Sequence, residues 1–251
     1  LPDKEFHSVF PNSDIIIGSP PCVSFSNSNR SGYVSKKLGT DLIKAFLRIV
    51  VRKKIKRGSQ LKYWILENVP KAENFIESEY KYSDLGVNSR KGTLKVKSDN
   101  TFTYSAIAFG VPTKRKRYFC GEFPDPIMQH VDYNELTLGN ILKTISAKYP
   151  IDPNWSGLGS FERPEITDHD YTSEIARWQW EKARRQKQDK GYMGRMSFPE
   201  RLDEACRTIT ALNSSSSRES IILSNGLPNS YRRPTIRELA TAMSFPVDYR
   251  F

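Results

Sequence analysis

The 251 residues are 37% hydrophobic and 12% aromatic, a composition typical of a folded protein with one large domain or one and a half. No apolar run approaches the roughly 20 residues that a membrane-spanning helix needs, and no signal-peptide pattern opens the chain. Three cysteines and three histidines without a C-x-x-C motif argue against a disulfide framework and against a metal site. We therefore expect a cytoplasmic globular protein with neither a membrane nor a metal partner.

Basic residues, which give the chain a net charge of +11, cluster at 52–57, 114–117 and 182–190. Each cluster alone could be an ordinary solvated surface. A basic total with clustered charges favours a polyanionic partner, because lysine and arginine neutralise phosphates. Nucleic acid is therefore the expected partner.

The first strong structural signal lies at residues 14–26, which read D-I-I-I-G-S-P-P-C-V-S-F-S. Three isoleucines predict a short, fully buried strand, and Pro20 and Pro21 predict a stiff loop after it. This loop brings Cys22 to the carboxyl end of the strand, where open α/β sheets build their sites. Cys22 is either a nucleophile or one of the small residues that a fold buries, and the local pattern does not separate the two.

A strand–helix–strand unit is predicted next. Residues 27–39 are typical of an exposed loop, and from Thr40 onward apolar residues recur at intervals of three and four, which predicts a helix. The apolar run Y-W-I-L-E-N-V-P at 63–70 predicts a second strand. In a parallel sheet Glu67 would then lie on the same edge as Cys22.

Two arginines follow in the string F-G-V-P-T-K-R-K-R-Y-F at 109–119. Arg115 and Arg117 are two residues apart, so in a strand both would project from one face. Residues 125–206 differ in character, being rich in Pro, Trp, Tyr and Gly, and they include a basic helix predicted at 173–190.

Five strings together resemble the DNA cytosine-5 methyltransferase family. P-P-C followed by F-S, then E-N-V, then G-V-P-x-x-R-x-R stand in that family's order. R-T-I-T at 207–210 and R-P-T-I-R-E-L-A-T-A-M-S-F-P at 233–246 resemble its later motifs, and a short helix is predicted at 236–243. Each string alone is weak, but five in register identify the sequence as a member of that family. The resemblance implies an α/β fold, a partial Rossmann-like methyltransferase sheet with a smaller target-recognition lobe.

The resemblance also implies a domain organisation and a substrate. Residues 1–124 would form a partial catalytic methyltransferase domain, 125–206 the target-recognition region, and 207–251 the later motifs, which return to the catalytic domain. The implied reaction is transfer of a methyl group from S-adenosyl-L-methionine to C5 of cytosine in double-stranded DNA. The setting it implies is a restriction–modification system in the bacterial cytoplasm or nucleoid.

Roles for individual residues follow from the same resemblance. Cys22 would add to C6 of a cytosine flipped out of the duplex, because a thiolate attacks and later leaves under mild conditions. Glu67 would contact ring N3 and the exocyclic amine as negative charge spreads into the ring. Arg115 and Arg117 would steady the loop, the base carbonyl and a DNA phosphate, with Arg117 nearer the base. Cofactor contacts are implied for Pro21 and Leu42, and DNA contacts for Ser26, Asn29, Arg30 and Thr208.

The sequence departs from the family in several places. The amino-terminal F-x-G-x-G loop that cradles the cofactor is absent, as is the last G-N-x-V segment. We therefore expect either a fragment or a chain that relies on a second polypeptide for the cofactor half. Val23 and Thr113 stand where the family often has Gln.

Two other functions fit the same sequence. A tRNA cytosine-5 methyltransferase uses the same catalytic strings, although the long region at 125–206 favours DNA. A non-catalytic DNA-binding subunit would explain the missing cofactor loop. The intact set of Cys22, Glu67, Arg115 and Arg117 argues against that second alternative.

Overall fold

A computed structural model describes residues 3–26, 35–128, 130–148, 174–188, 195–210 and 216–246. The chain divides into two compact units, one of Leu1–Tyr104 with Lys116–Ile127 and the other of Ser105–Arg115 with Met128–Phe251. Helices and strands occur in both, so the mixed α/β class is confirmed. Within the described ranges, no helix is long and apolar enough to cross a membrane. The same residues contain no cluster of three or more metal-ligating side chains.

The first unit is built on a four-stranded sheet. Its helices and strands are α1 (Asp3–Val9), β1 (Ile15–Gly18), α2 (Lys36–Ile55), β2 (Tyr63–Asn68), β3 (Glu79–Lys81), β4 (Thr93–Lys95), β5 (Phe102–Ser105, the last residue of which belongs to the second unit) and β6 (Lys116–Glu122). The sheet order is β1-β2-β6-β5, and β3 pairs with β4 separately. β1 and β2 are parallel, as predicted, whereas β6 runs antiparallel to β2. The described sheet is therefore mixed.

Helix α2 supplies much of the core of the first unit. Ser35 caps its amino terminus, because the Ser35 hydroxyl accepts the N–H of Lys37 at 3.2 Å. Ile43, Leu47 and Val50 recur at helical spacing and are fully buried, as the apolar periodicity predicts. A Cβ on Gly18, at the end of β1, would collide with the ring of Phe46. Only glycine allows the helix to approach β1 this closely.

Strand β1 is not the fully buried strand that its three isoleucines predict. Ile15 is 52% exposed and Ile17 is 71% exposed, while Ile16 packs on the core. Ile15 and Ile17 share a face of the sheet with Tyr63 of β2, which is 39% exposed, whereas Ile16 shares the buried face with Trp64. The exposure therefore follows from a face of the described sheet that is largely open to solvent. Apolar content alone cannot show whether one face of a strand is covered or both, so that prediction is wrong.

The second unit is held together by two apolar clusters. Its elements are α3 (Leu138–Lys148), α4 (Arg177–Gln188), β7 (Leu223–Ser224), β8 (Tyr231–Arg232) and α5 (Ile236–Ala242). One cluster packs around α3 and α5, and the other surrounds Trp180 of α4. Both helices predicted in this part of the sequence occur, α4 within 173–190 and α5 within 236–243.

Helix α5 begins with a reciprocal cap. The N–H of Glu238 donates to the Thr235 hydroxyl at 3.0 Å, and the N–H of Thr235 donates to the Glu238 carboxylate at 2.8 Å. Arg232 of β8 also donates to both oxygens of Glu238, each at 2.8 Å. The T-I-R-E portion of the last family string therefore defines a helix start.

Candidate active site

Strands β1 and β2 bring two sequence motifs to the same edge of the sheet. Gly18 is in register with Leu66, so Ser19 leaves β1 beside Glu67. The Ser19 hydroxyl donates to Oε2 of Glu67 at 2.5 Å. Because the strands are parallel, this is the carboxyl edge, where the S-P-P-C loop (residues 19–22) begins.

Arg117 approaches the same carboxylate from β6. Its Nε lies 3.0 Å from Oε1 of Glu67, and the two side chains are 21% and 20% exposed. Nη1 of Arg117 donates to the backbone carbonyl of Lys116 at 2.8 Å. The carboxylate of Glu67 is thus oriented by a hydroxyl on one oxygen and a guanidinium on the other, and the partly buried position limits screening by water.

Arg115 does not lie in the strand that carries Arg117. β6 begins at Lys116, and Arg115 falls in the second unit, where its carbonyl accepts the N–H of Ala106 at 2.8 Å. Arg115 therefore lies one residue before the strand, and the expectation that both arginines project from one face stays a prediction.

Asn68 braces the S-P-P-C loop. Its side chain is fully buried, and Nδ2 donates to the carbonyl of Pro20 at 3.0 Å. Its Oδ1 accepts the N–H of Val69 at 2.9 Å. The strings E-N-V and S-P-P-C do not by themselves assign a role to Asn68 or to Ser19. Their adjacency to Glu67 and to Pro20 was the available signal.

The chain after Cys22 is anchored in the core. The Cys22 carbonyl accepts the N–H groups of Phe25 and Ser26, both at 3.0 Å, which closes a tight turn. Phe25 is 3% exposed and stacks on Phe75 with ring centroids 5.0 Å apart. A Cβ on Gly39 would lie 2.6 Å from the Phe25 ring, so α2 also supports this turn closely. The backbone on both sides of Cys22 is therefore held.

The three cysteines have different surroundings. Cys120 and Cys206 are buried, and burial raises the pKa of each thiol to about 12. Cys22 is half-buried. A thiol must ionise and meet its target to act as a nucleophile, so Cys120 and Cys206 are poorly suited to that role. Cys22 is the cysteine with access to a substrate.

The remaining predicted contact residues are spread over the chain. Pro21 is exposed, and Leu42 on α2 and Ser26 are half-buried. Thr208 lies in the second unit and donates from Oγ1 to the carbonyl of Lys114 at 3.3 Å. Asn29 and Arg30 lie outside the described residues.

Two of the family strings pair with each other in the second unit. Thr113 forms a β-bridge with Cys206. The N–H of Lys114 donates to the Cys206 carbonyl at 2.7 Å, and the N–H of Cys206 donates to the Pro112 carbonyl at 3.0 Å. The end of G-V-P is therefore bound to Cys206, the residue immediately before R-T-I-T, although about 90 residues separate them.

Arg207, the first residue of R-T-I-T, belongs to a buried ionic cluster. Its Nη2 lies 2.8 Å from Oε1 of Glu200, which also lies 3.2 Å from Nζ of Lys187. Lys187 is fully buried and donates to the Ser220 carbonyl at 2.5 Å. Burial, reinforced by the charge of Arg207 and opposed by Glu200, lowers the pKa of Lys187 to about 8. Arg207 thus stabilises the second unit.

Comparison with known proteins identifies the family. The model of the C-5 cytosine-specific DNA methylases matches residues 3–251. The chain belongs to this family. It is therefore a methyltransferase by family. No curated protein sequence matches it significantly.

Solved structures agree with the fold of this family member. The methyltransferase EhMeth of Entamoeba histolytica is 15% identical, with a TM-score of 0.55 over 99% of this chain and 70% of that chain. The Dnmt2 methyltransferase of S. pombe is 17% identical, with a TM-score of 0.51 over 98% of this chain and 70% of that chain. At such identities the likeness shows the methyltransferase fold.

Proposed function

We propose that the chain transfers a methyl group to C5 of a flipped-out cytosine in double-stranded DNA, as the modification enzyme of a restriction–modification system. The observation that carries the proposal is the Ser19–Glu67–Arg117 contact chain at the sheet edge from which the S-P-P-C loop leaves. The net charge of +11 supports a DNA substrate, because duplex DNA is densely anionic.

Cys22 is the proposed nucleophile. Its thiolate adds to C6, and the electron pair of the C5–C6 double bond moves toward C5 and into the ring. Glu67 meets this charge at N3 and at the exocyclic amine through a proton or a hydrogen bond. Ser19 and Arg117 hold its two oxygens, so the carboxyl group is oriented before the base arrives.

The reaction ends by restoring the aromatic ring. When bound, S-adenosylmethionine supplies the methyl group that C5 accepts. The C5 proton is then lost to a base, and the Cys22–C6 bond breaks, which returns the thiolate. The base must leave the duplex for this chemistry, at a cost of a few kcal/mol. Arg115, Ser26, Asn29, Arg30 and Thr208 are the proposed contacts that hold the surrounding DNA.

The cofactor is proposed to touch Pro21 and Leu42. Pro21 is exposed and Leu42 half-buried, which suits apolar contact with an adenine ring. Neither residue can bind the charged methionine end of the cofactor. We propose that a second polypeptide supplies those groups by adding a strand along β1. Such a strand would pair with the outer edge of β1 in the described sheet, and its side chains would flank Ile15 and Ile17.

The first test is transfer of labelled methyl from S-adenosylmethionine to unmethylated duplex DNA and to tRNA. Cys22→Ala is expected to abolish transfer, because it removes the thiolate that forms the bond to C6. Val23→Ala is the matched control, since Val23 is the next residue and is 54% exposed. It is expected to keep wild-type turnover. A duplex with 5-fluorocytosine at the target is expected to trap a covalent complex, because fluorine cannot leave as the C5 proton does.

Each outcome bears on a different part of the proposal. Label in DNA that requires Cys22 supports it. Label in tRNA alone contradicts the DNA substrate and favours the tRNA enzyme. Bound DNA with no label in either substrate indicates that the second polypeptide is required or that the chain only binds. Unchanged turnover in Cys22→Ala would exclude the covalent mechanism. Resistance of DNA from expressing cells to a companion nuclease tests the restriction–modification role.

A further inference from the structure

Helix α4 has one face that is locked into the second unit. Trp180, Ala183 and Lys187 are its buried residues, spaced at i, i+3 and i+7. The Trp180 ring lies 5.0 Å from that of Tyr231 and 6.3 Å from that of Phe198. This aromatic packing fixes the rotation of the helix about its axis, so the opposite face is held toward solvent.

The opposite face carries an aromatic and basic stripe. Trp178, Lys182 and Arg185 are spaced at i, i+4 and i+7, which places them in one row along the helix. All three are exposed, and Trp178 is 61% exposed. The exposed part of the indole adds nothing to the free energy of folding, because apolar surface stabilises a fold only when it is buried. Trp178 lies in the first turn of α4, and Lys182 and Arg185 follow it along the same row. An indole in line with two cations suits a partner that is both anionic and partly apolar.

The charge around the stripe selects the partner. Arg177 is paired with Glu181 at 2.7 Å on the same helix. An open groove alongside the stripe is lined by three arginines and two acids, which are Arg177, Arg184, Arg185, Glu174 and Glu181. Positive charge repeated along a row, with few acids between, is the pattern by which proteins neutralise successive phosphates of a nucleic acid backbone.

We propose that the Trp178–Lys182–Arg185 stripe docks on the backbone of duplex DNA. Lys182 and Arg185 bind phosphates, and the indole of Trp178 packs on the deoxyribose beside them. The inference rests on the proposed function, since it takes that function's DNA substrate as the partner. Backbone contacts carry no sequence information, so this stripe sets affinity and orientation while other residues select the target.

The test is the salt dependence of DNA binding by the full chain. Dissociation constants for an unmethylated duplex are measured over a series of salt concentrations. Each lost phosphate contact lowers the slope of log K against log salt by about 0.9, so Lys182→Ala/Arg185→Ala should lower it by about 1.8. Trp178→Ala should weaken binding on the order of tenfold and leave the slope unchanged, because it removes packing without charge.

The matched control is Lys81→Ala/Lys95→Ala, which removes the same charge from exposed positions on β3 and β4. It is expected to keep the wild-type slope. A wild-type slope in Lys182→Ala/Arg185→Ala, or an equal drop in the control, would overturn the phosphate contacts. Wild-type affinity in Trp178→Ala would overturn the role of the indole. If a charge variant melts below the wild type, the glutamine pair Lys182→Gln/Arg185→Gln replaces it.

Methyl transfer and the salt dependence of DNA binding distinguish failure of the proposed function from failure of the stripe. A wild-type chain that binds DNA with the expected slope changes but transfers no methyl group would support the stripe and contradict the enzyme. A chain that methylates DNA while its stripe variants keep the wild-type slope and affinity would support the enzyme and overturn the stripe. Binding to tRNA with no binding to duplex DNA would overturn both.

Discussion

Replacing Asn68 by alanine tests whether the S-P-P-C loop is positioned by a single buried amide. The substitution leaves the Pro20 carbonyl without its donor and the Val69 N–H without its acceptor. Pro20 is buried and Val69 is half-buried, so water can replace only part of what is lost. Each buried group left unsatisfied costs about 1–3 kcal/mol, and we expect about 2–3 kcal/mol in total.

Two measurements report this loss. For a protein of this size, about 2–3 kcal/mol corresponds to a fall in melting temperature of roughly 4–12 °C. The rate at which iodoacetamide alkylates Cys22 reports the loop itself. We expect this alkylation rate to change several-fold in Asn68→Ala, because the loop that carries the thiol loses the hydrogen bond between Pro20 and Asn68 of β2. Methyl transfer should fall by about 30-fold if the loss of about 2 kcal/mol appears entirely in the transition state.

A second asparagine in the same unit provides the control. Asn100 donates from Nδ2 to the Phe123 carbonyl at 2.8 Å. Asn100→Ala should therefore cost about 1 kcal/mol and leave the alkylation of Cys22 unchanged. If Asn68→Ala alkylates at the wild-type rate while melting lower, Asn68 stabilises the sheet and does not position the thiol.

Three further outcomes are expected. In the native protein, iodoacetamide at pH 8 should modify Cys22 well before the other two cysteines, whose buried thiols have a pKa of about 12; equal labelling by mass spectrometry would contradict this. Burial lowers the pKa of Lys187 from 10.5 to about 8, so between these values the unfolded state binds the proton that the folded state has released. The unfolding free energy should thus rise with pH, relative to Lys187→Met, by up to about 3 kcal/mol; urea titrations at pH 7.5 and 10 that give a constant difference would refute it. Gly39→Ala should cost about 1–3 kcal/mol, because its Cβ would lie 2.6 Å from the Phe25 ring; an unchanged urea midpoint would show that the ring moves freely.

Local patterns were sufficient for much of the fold. The apolar run at 63–70 predicts β2, and apolar residues at intervals of three and four predict α2. Helices are also predicted at 173–190 and 236–243, where α4 and α5 occur. These elements follow from side-chain alternation and helical spacing, which neighbouring residues determine. The family was likewise readable from short strings in order. The exposure of Ile15 and Ile17 was not readable from the sequence, because a run of isoleucines has the same composition whether one face of the strand is covered or both.

The candidate site shows the same division. The sequence by itself determined that Cys22 follows a strand through two prolines and that Glu67 ends a second strand. It could not determine that Ser19 and Arg117 orient Glu67, or that the Asn68 amide reaches Pro20. Those contacts join residues about 50 positions apart in the sequence, and their partners are chosen by strand register. Register is set by packing of the whole unit, and for that reason only the tertiary structure decided which polar groups surround the carboxylate.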